Sequence, residues 1–170
     1  SIAAIEPACG EEDTMYSSYT TLQRAQLAKQ EYLDTQGVFL GVYAPGRNAA
    51  LKASLQNQLH RKFLLTDSLR PKALGSAVGV LLVREDLFLM PTALSCFADA
   101  LRSGADYVTS DAVFGYSGVT ALYHSQGFAA CPGCALVSRE LLRRCQAEAR
   151  DPENPVELLT LAAKLSRSHV

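Results

Sequence analysis

The run VGVLLV, Val78–Val83, has no polar side chain at any position. A strand with one wet face alternates apolar and polar residues. A strand that is apolar on both faces is covered on both, as central parallel strands are. Parallel strands need crossover connections, and the neighbouring sequence supplies helices for them. GVFLGVYA, Gly37–Ala44, reads as a buried strand by its length and its Val, Phe and Tyr content. Pro45-Gly46 turns the chain, and Asn48 stands at a helix N-cap position. AALKASLQNQLHRK then predicts a helix from Ala49, with Leu51, Leu55 and Leu59 on one face. Lys62–Thr66 is the next strand, and Leu69–Ala77 is a loop with Pro and Gly before Val78–Val83.

Pro91–Gly104 predicts a further helix, with Pro at its start, Gly at its end, and Leu94, Phe97, Ala98 and Leu101 on one face. ADYVTSDAVF reads as a strand carrying the acidic Asp111, and VTALYH as a short strand. GFAACPGCALVS is small and tightly turning. Arg139–Ala149 and Val156–Arg167 are helices divided by DPENP, and Lys164 and Arg167 suit the C-terminal dipole of the second. The order β-α-β-loop-β-α-β, then small strands and two helices, predicts an α/β fold with a mostly parallel central sheet.

With 170 residues the chain fits one domain. A chain of this size buries about two-thirds of its unfolded surface and needs no staples. Residues 1–36 are expected to be a polar lead-in and an N-terminal helix, with 37–170 the α/β domain proper. The first residue is Ser, so a chain excised from something longer is expected, and no signal peptide is visible at the start. A formal charge of −1 without a basic run disfavours nucleic acid as a partner. The uncharged stretch Ala112–Ser138 is interrupted by Gly115, Gly118, Gly127, Pro132 and Gly133, too often for a transmembrane segment. Five cysteines, an odd number, favour a reduced, cytoplasmic setting over a disulfide framework.

Cys131-Pro132-Gly133-Cys134 precedes a helix, the arrangement of thioredoxin-like redox sites. It comes late in the chain, and a zinc site would have to recruit His124, Cys145 or Cys9 at a spacing that matches no common finger. Packed small residues in a tight turn are the simpler reading. His60, His124 and His169 are scattered, and no glycine-rich phosphate loop is present.

YAPGRNAALKASLQNQLHRKFLLTDS resembles the opening of inverting, family-2-like glycosyltransferases with the GT-A fold. The shared pattern is a strand ending in Pro45, Asn48 three residues on, the S-x-x-N-Q run Ser54–Gln58, and a strand ending in Asp67-Ser68. VGVLLVREDLFLMPTALSCFADAL, SGADYVTSDAVF, CPGCALVSRELL and PENPVELLTLAAKLSR are similar to later segments, so the likeness spans roughly residues 37–168. The resemblance implies a three-layer α/β/α sandwich. It implies transfer of a sugar from a nucleotide-diphosphate donor to a hydroxyl acceptor, with Mg2+ or Mn2+ as cofactor.

The resemblance implies that Pro45, Asn48 and Asp67 hold the nucleotide, Glu85 and Asp86 the metal, and Asp111 the acceptor. Glu153 or Glu157 would be the catalytic base that takes the acceptor proton. The family's Asp-x-Asp is replaced by Arg84-Glu85-Asp86, in which Arg84 would neutralise phosphate directly. The section between Ser68 and Val78 is also shorter than the family's. Each residue has a plainer reading beside this one. Asp67 and Asp111 can be turn residues at strand ends. Glu85 and Asp86 can be a solvated acidic turn, Glu153 an exposed loop charge, and Glu157 a first-turn helix charge. The alternative function is a non-catalytic GT-A-like binding or scaffold domain of a larger protein, with a protein partner or neighbouring domain.

Overall fold

The computed structural model describes residues 22–23, 25–27, 37–84, 86–110, 112–116, 119–123 and 133–170, the side chains of 112–123 excepted. The lead-in, Glu85, Asp111, His124 and Cys131 lie outside the described residues.

A five-stranded sheet organises the domain, in the order β2-β1-β3-β7-β4. Its strands are β1 (Leu40–Tyr43), β2 (Phe63–Thr66), β3 (Gly79–Val83), β4 (Tyr107–Val108) and β7 (Cys134–Ser138). β1 pairs in parallel with β2 and β3, in the registers Leu40↔Phe63 and Leu40↔Gly79. β7 enters antiparallel between β3 and β4, with Val83↔Cys134 and Val108↔Leu136. Four of the five strands therefore run one way. β5 (Ala112–Tyr116) and β6 (Val119–Tyr123) form a separate antiparallel pair.

Helices α1 (Ala49–Leu55), α2 (Pro71–Leu74), α3 (Ala93–Arg102), α4 (Arg139–Glu148) and α5 (Pro155–Leu165) accompany the strands, and residues 22–23 and 25–27 are helical as well. Alternate strand residues feed two apolar clusters. Leu40, Val42, Leu81, Val83 and Leu136 pack with Leu51 and Leu55 of α1 and Leu94, Phe97 and Ala98 of α3. Tyr43, Val80, Leu82, Ala135 and Val137 pack with Leu74 of α2, Leu141, Leu142 and Cys145 of α4, and Leu158, Leu159 and Ala162 of α5. The all-apolar run is buried at every position of β3, as its sequence demands. Gly79 lets α3 approach closely: a Cβ there would lie 2.6 Å from Leu101 Cδ2, which would have to shift, and 3.2 Å from the Val137 carbonyl.

Four expectations need correction. The segment around Cys134 is a fully paired strand of the main sheet, β7, not a tight turn. ADYVTSDAVF is split between β4 and β5. The expected loop after Leu69 contains the short helix α2. The helix from Ala49 ends at Leu55, because Gln58 is turned inward. Its Nε2 donates to the carbonyls of Ser54, Leu89 and Met90, and its Oε1 accepts from Leu94 N at 3.1 Å.

The two helices on this face exchange caps. Asn48 and Thr92 occupy the N-cap positions of α1 and α3, yet neither side chain caps. Asp86, from the β3–α3 connection, accepts from Ala50 N and Leu51 N of α1 at 3.3 and 3.1 Å. Gln58, from the α1–β2 connection, accepts from Leu94 N of α3. On the other face α4 and α5 are capped locally: Ser138 Oγ accepts from Leu141 N, and Asn154 Oδ1 accepts from Val156 N and Glu157 N.

The outer edge of β4 is covered by the last residues. Tyr107 bridges His169, Val170 N donates to Tyr107 O and Thr109 N donates to Val170 O, both at 2.9 Å, and the His169 and Tyr107 rings stack at 5.0 Å. Asp106 fastens this segment. Burial opposes its charge, but Ser166 Oγ, Arg167 N and Ser168 N donate to its carboxylate and Arg144 lies 3.9 Å away, so its pKa falls below the usual carboxylate range. A carboxyl depressed in the folded state adds stability that is present above its unfolded pKa and lost as pH falls through the folded one. Asp106→Ala is therefore expected to cost about 2 kcal/mol at neutral pH. The gap between variant and parent should close below about pH 4, where unfolded carboxyls titrate. Urea unfolding at a series of pH values checks this; a gap independent of pH would show that the charge is not what holds the segment. Among the described residues no helix is long and apolar enough to cross a membrane.

Candidate functional site: a cavity at the carboxyl ends of β1 and β2

In open α/β sheets ligands bind outside the carboxyl ends of the strands. Here β1 runs out through Ala44 into the Pro45-Gly46 turn, where Gly46 adopts φ +94°. Asn48 is buried, only 7% exposed, and its Nδ2 donates to the carbonyls of Ala44 and Gly46. Its amide therefore fixes the turn. β2 ends beside it, with Ala44 N donating to Thr66 O at 3.3 Å.

The turn after β2 is closed by hydroxyls. Thr66 Oγ1 accepts from Ser68 N at 3.1 Å and donates to Ser68 O at 2.9 Å, and Ser68 Oγ accepts from Arg70 N at 3.2 Å. The Asx-turn reading of Asp67 is thus corrected: its neighbours do that work. Its exposed carboxylate accepts no hydrogen bond among the described residues. Instead it lines an open cavity of about 490 Å³ with Ala44, Gly46, Asn48, Lys52, Leu65 and Thr66. That volume lies within the range of roughly 300–1,000 Å³ usual for small-molecule sites.

Of the residues singled out from sequence, Asn48 and Asp67 meet in this cavity, and Pro45 lies in the turn between two of its lining residues. Arg84 follows β3 on the same sheet edge. It is exposed, its backbone N donates to Gly133 O at 2.8 Å, and it does not line the cavity. Asp86 gives both carboxylate oxygens to the amides of α1. Glu85 and Asp111 lie outside the described residues.

The two candidate bases hold backbone. Both oxygens of Glu153 accept from Leu69 N at 3.1 Å, and its carbonyl accepts from Tyr43 Oη. Glu153 therefore links the α4–α5 connection to the segment just after Asp67. Burial, then the charges of Glu153, Asp151 and Asp67, push the Tyr43 hydroxyl up to about 12, so it stays protonated and donating. Glu157 accepts from Arg150 N and Asp151 N at 2.6 and 3.1 Å, closing the loop before α5.

Cys134 is buried in β7, and burial pushes the Cys145 thiol up to about 11, which leaves it inert at neutral pH. Among the described residues no three His, Cys, Asp or Glu side chains gather as metal ligands. Ala44, Gly46, Lys52, Leu65 and Thr66 also line the cavity but were not among the site residues singled out from sequence. Lys52 had a signal: four residues after Asn48, it falls on the same helical face. No family model, curated protein or solved structure matches the chain.

Proposed function

We propose that the domain binds a nucleotide-diphosphate sugar in the cavity between Asn48, Lys52 and Asp67, within a GT-A-like three-layer α/β arrangement, and acts as a glycosyltransferase toward a hydroxyl acceptor in the cytoplasm. The observation that carries the reading is Asp67. Its carboxylate is relieved of turn duty by Thr66 and Ser68 and stands in a cavity at the ligand-binding edge of the sheet. Transfer would break the bond from the sugar's anomeric carbon to the diphosphate, form one to the acceptor oxygen, and pass the acceptor proton to a base.

The resemblance brings with it a requirement for Mg2+ or Mn2+, which would act as a Lewis acid on the departing diphosphate. The described donors do not fit one, since Asp86 is committed to α1. The metal is therefore a variable of the test. One observation favours the second reading, a domain that binds without catalysing: Asp86, Glu153 and Glu157 all accept backbone amides instead of facing the cavity.

Thermal unfolding with UDP-, GDP- and CDP-sugars, with and without Mn2+, tests the binding. A ligand held at a hundred times its Kd stabilises by about 2.7 kcal/mol and must raise Tm. A rise with one base is expected, and Asp67→Ala should remove it. No shift with any of them at millimolar concentration would end the nucleotide-sugar reading. Product formation with the responding sugar then separates transferase from binding domain.

A further inference from the structure

The cavity holds two opposite charges that do not meet. Lys52 comes from α1 and Asp67 from the end of β2, and both line the cavity without a salt bridge between them. Neither side chain has a hydrogen-bond partner among the described residues. The structural duties nearby are discharged by others. Arg61 Nη1 donates to the Leu55 and Gln56 carbonyls at the C-terminal end of α1, and Thr66 and Ser68 close the turn around Asp67. Asn48 is the third polar group. Its Nδ2 is fixed on the Ala44 and Gly46 carbonyls, and its Oδ1 accepts nothing among the described residues.

A ligand that satisfies this set carries both hydrogen-bond donors and negative charge. A nucleoside phosphate has that polarity. Its base N–H groups or ribose hydroxyls suit the acceptors Asp67 and Asn48 Oδ1, and its phosphate oxygens suit an ammonium group. Leu65, 40% exposed, adds an apolar surface for a base or ribose face.

We propose that Lys52 is the phosphate-binding residue of this cavity, the group that makes it select a nucleoside diphosphate over the bare nucleoside. The inference rests on the nucleotide reading above. It adds to that reading the residue that supplies the positive charge.

Titration calorimetry of UDP, GDP and CDP against uridine, guanosine and cytidine, with Mn2+ present throughout, tests it. The parent is expected to bind the responding diphosphate at least ~10-fold more tightly than its nucleoside, the order of one charge-assisted hydrogen bond. Lys52→Met should bring that ratio near one, and Lys52→Arg should restore it. Lys52 is exposed and unpaired among the described residues, and Met is a good helix former, so an unchanged Tm is expected of the variant. Asp67→Asn should weaken nucleoside and diphosphate alike and keep the ratio. A ratio unmoved by Lys52→Met overturns the role of Lys52 and leaves the nucleotide reading standing. No binding of any diphosphate or nucleoside to the parent removes both.

Discussion

Gln58→Met is expected to lower the free energy of unfolding by about 2–4 kcal/mol, the sum for two buried polar groups left without partners and two carbonyls that each lose one bond. Methionine has nearly the volume of glutamine, so the cavity contribution is small and the loss is one of hydrogen bonding. The groups stranded are Leu94 N at the start of α3 and the Leu89 carbonyl before it, while the Met90 and Ser54 carbonyls each lose one bond and keep Ala93 N and Asn57 N. Gln58 is 3% exposed and Leu94 fully buried, so water does not replace the amide. Urea unfolding should show a lower midpoint with an unchanged slope. A loss under ~1 kcal/mol would mean that these groups find other partners, and that capping exchange between α1 and α3 contributes little.

Leu136→Ala is expected to cost about 3 kcal/mol, in the middle of the range for truncating a buried leucine. Leu136 is fully buried and sits opposite Leu81 on one side and Val108 on the other. The same substitution at a leucine exposed in a turn would change stability by less than ~0.5 kcal/mol.

These two residues also mark what was legible in the sequence. β1, β2 and β3 could be read because each is a short apolar run bounded by Pro, Gly or Asp, and α3 because Pro91 and Gly104 bracket a periodic face. β7 could not, since CALVS is too short and too small-residued to distinguish a buried strand from a tight turn. The helix starts divide by face. Ser138 and Asn154 cap by local chemistry that the chain itself displays. Asn48 and Thr92 hold N-cap positions by the same logic, but the bonds come from Asp86 and Gln58, more than thirty residues away in each case. No local rule reaches that far.

The site shows the same division. Asp67 was visible because strand ends are where ligand groups are delivered, and Asn48 through the resemblance; they do share one cavity. Glu153 and Glu157 are named by the resemblance alone, one in a loop and one in the first turn of a helix. Sequence cannot tell a carboxylate aimed at a substrate from one closing its own backbone, and these two close backbone. Lys52 was overlooked because a lysine on a short helix looks like any solvated charge until the opposite wall of the cavity is known.

The place of β7 between β3 and β4 has a consequence for the order of events at the ribosome. Synthesis runs from β1 to β7, and β3 gains its parallel neighbour β1 early. Its other edge stays vacant until Cys134–Ser138 has emerged, after α3, β4 and the β5–β6 hairpin have been made. Through that interval the most apolar strand of the chain presents open backbone groups to any other strand nearby, at an elongation rate of about 5–20 residues per second. The nascent chain is thus most exposed to aggregation before β7 arrives, and a truncation short of Ser138 would hold it there permanently.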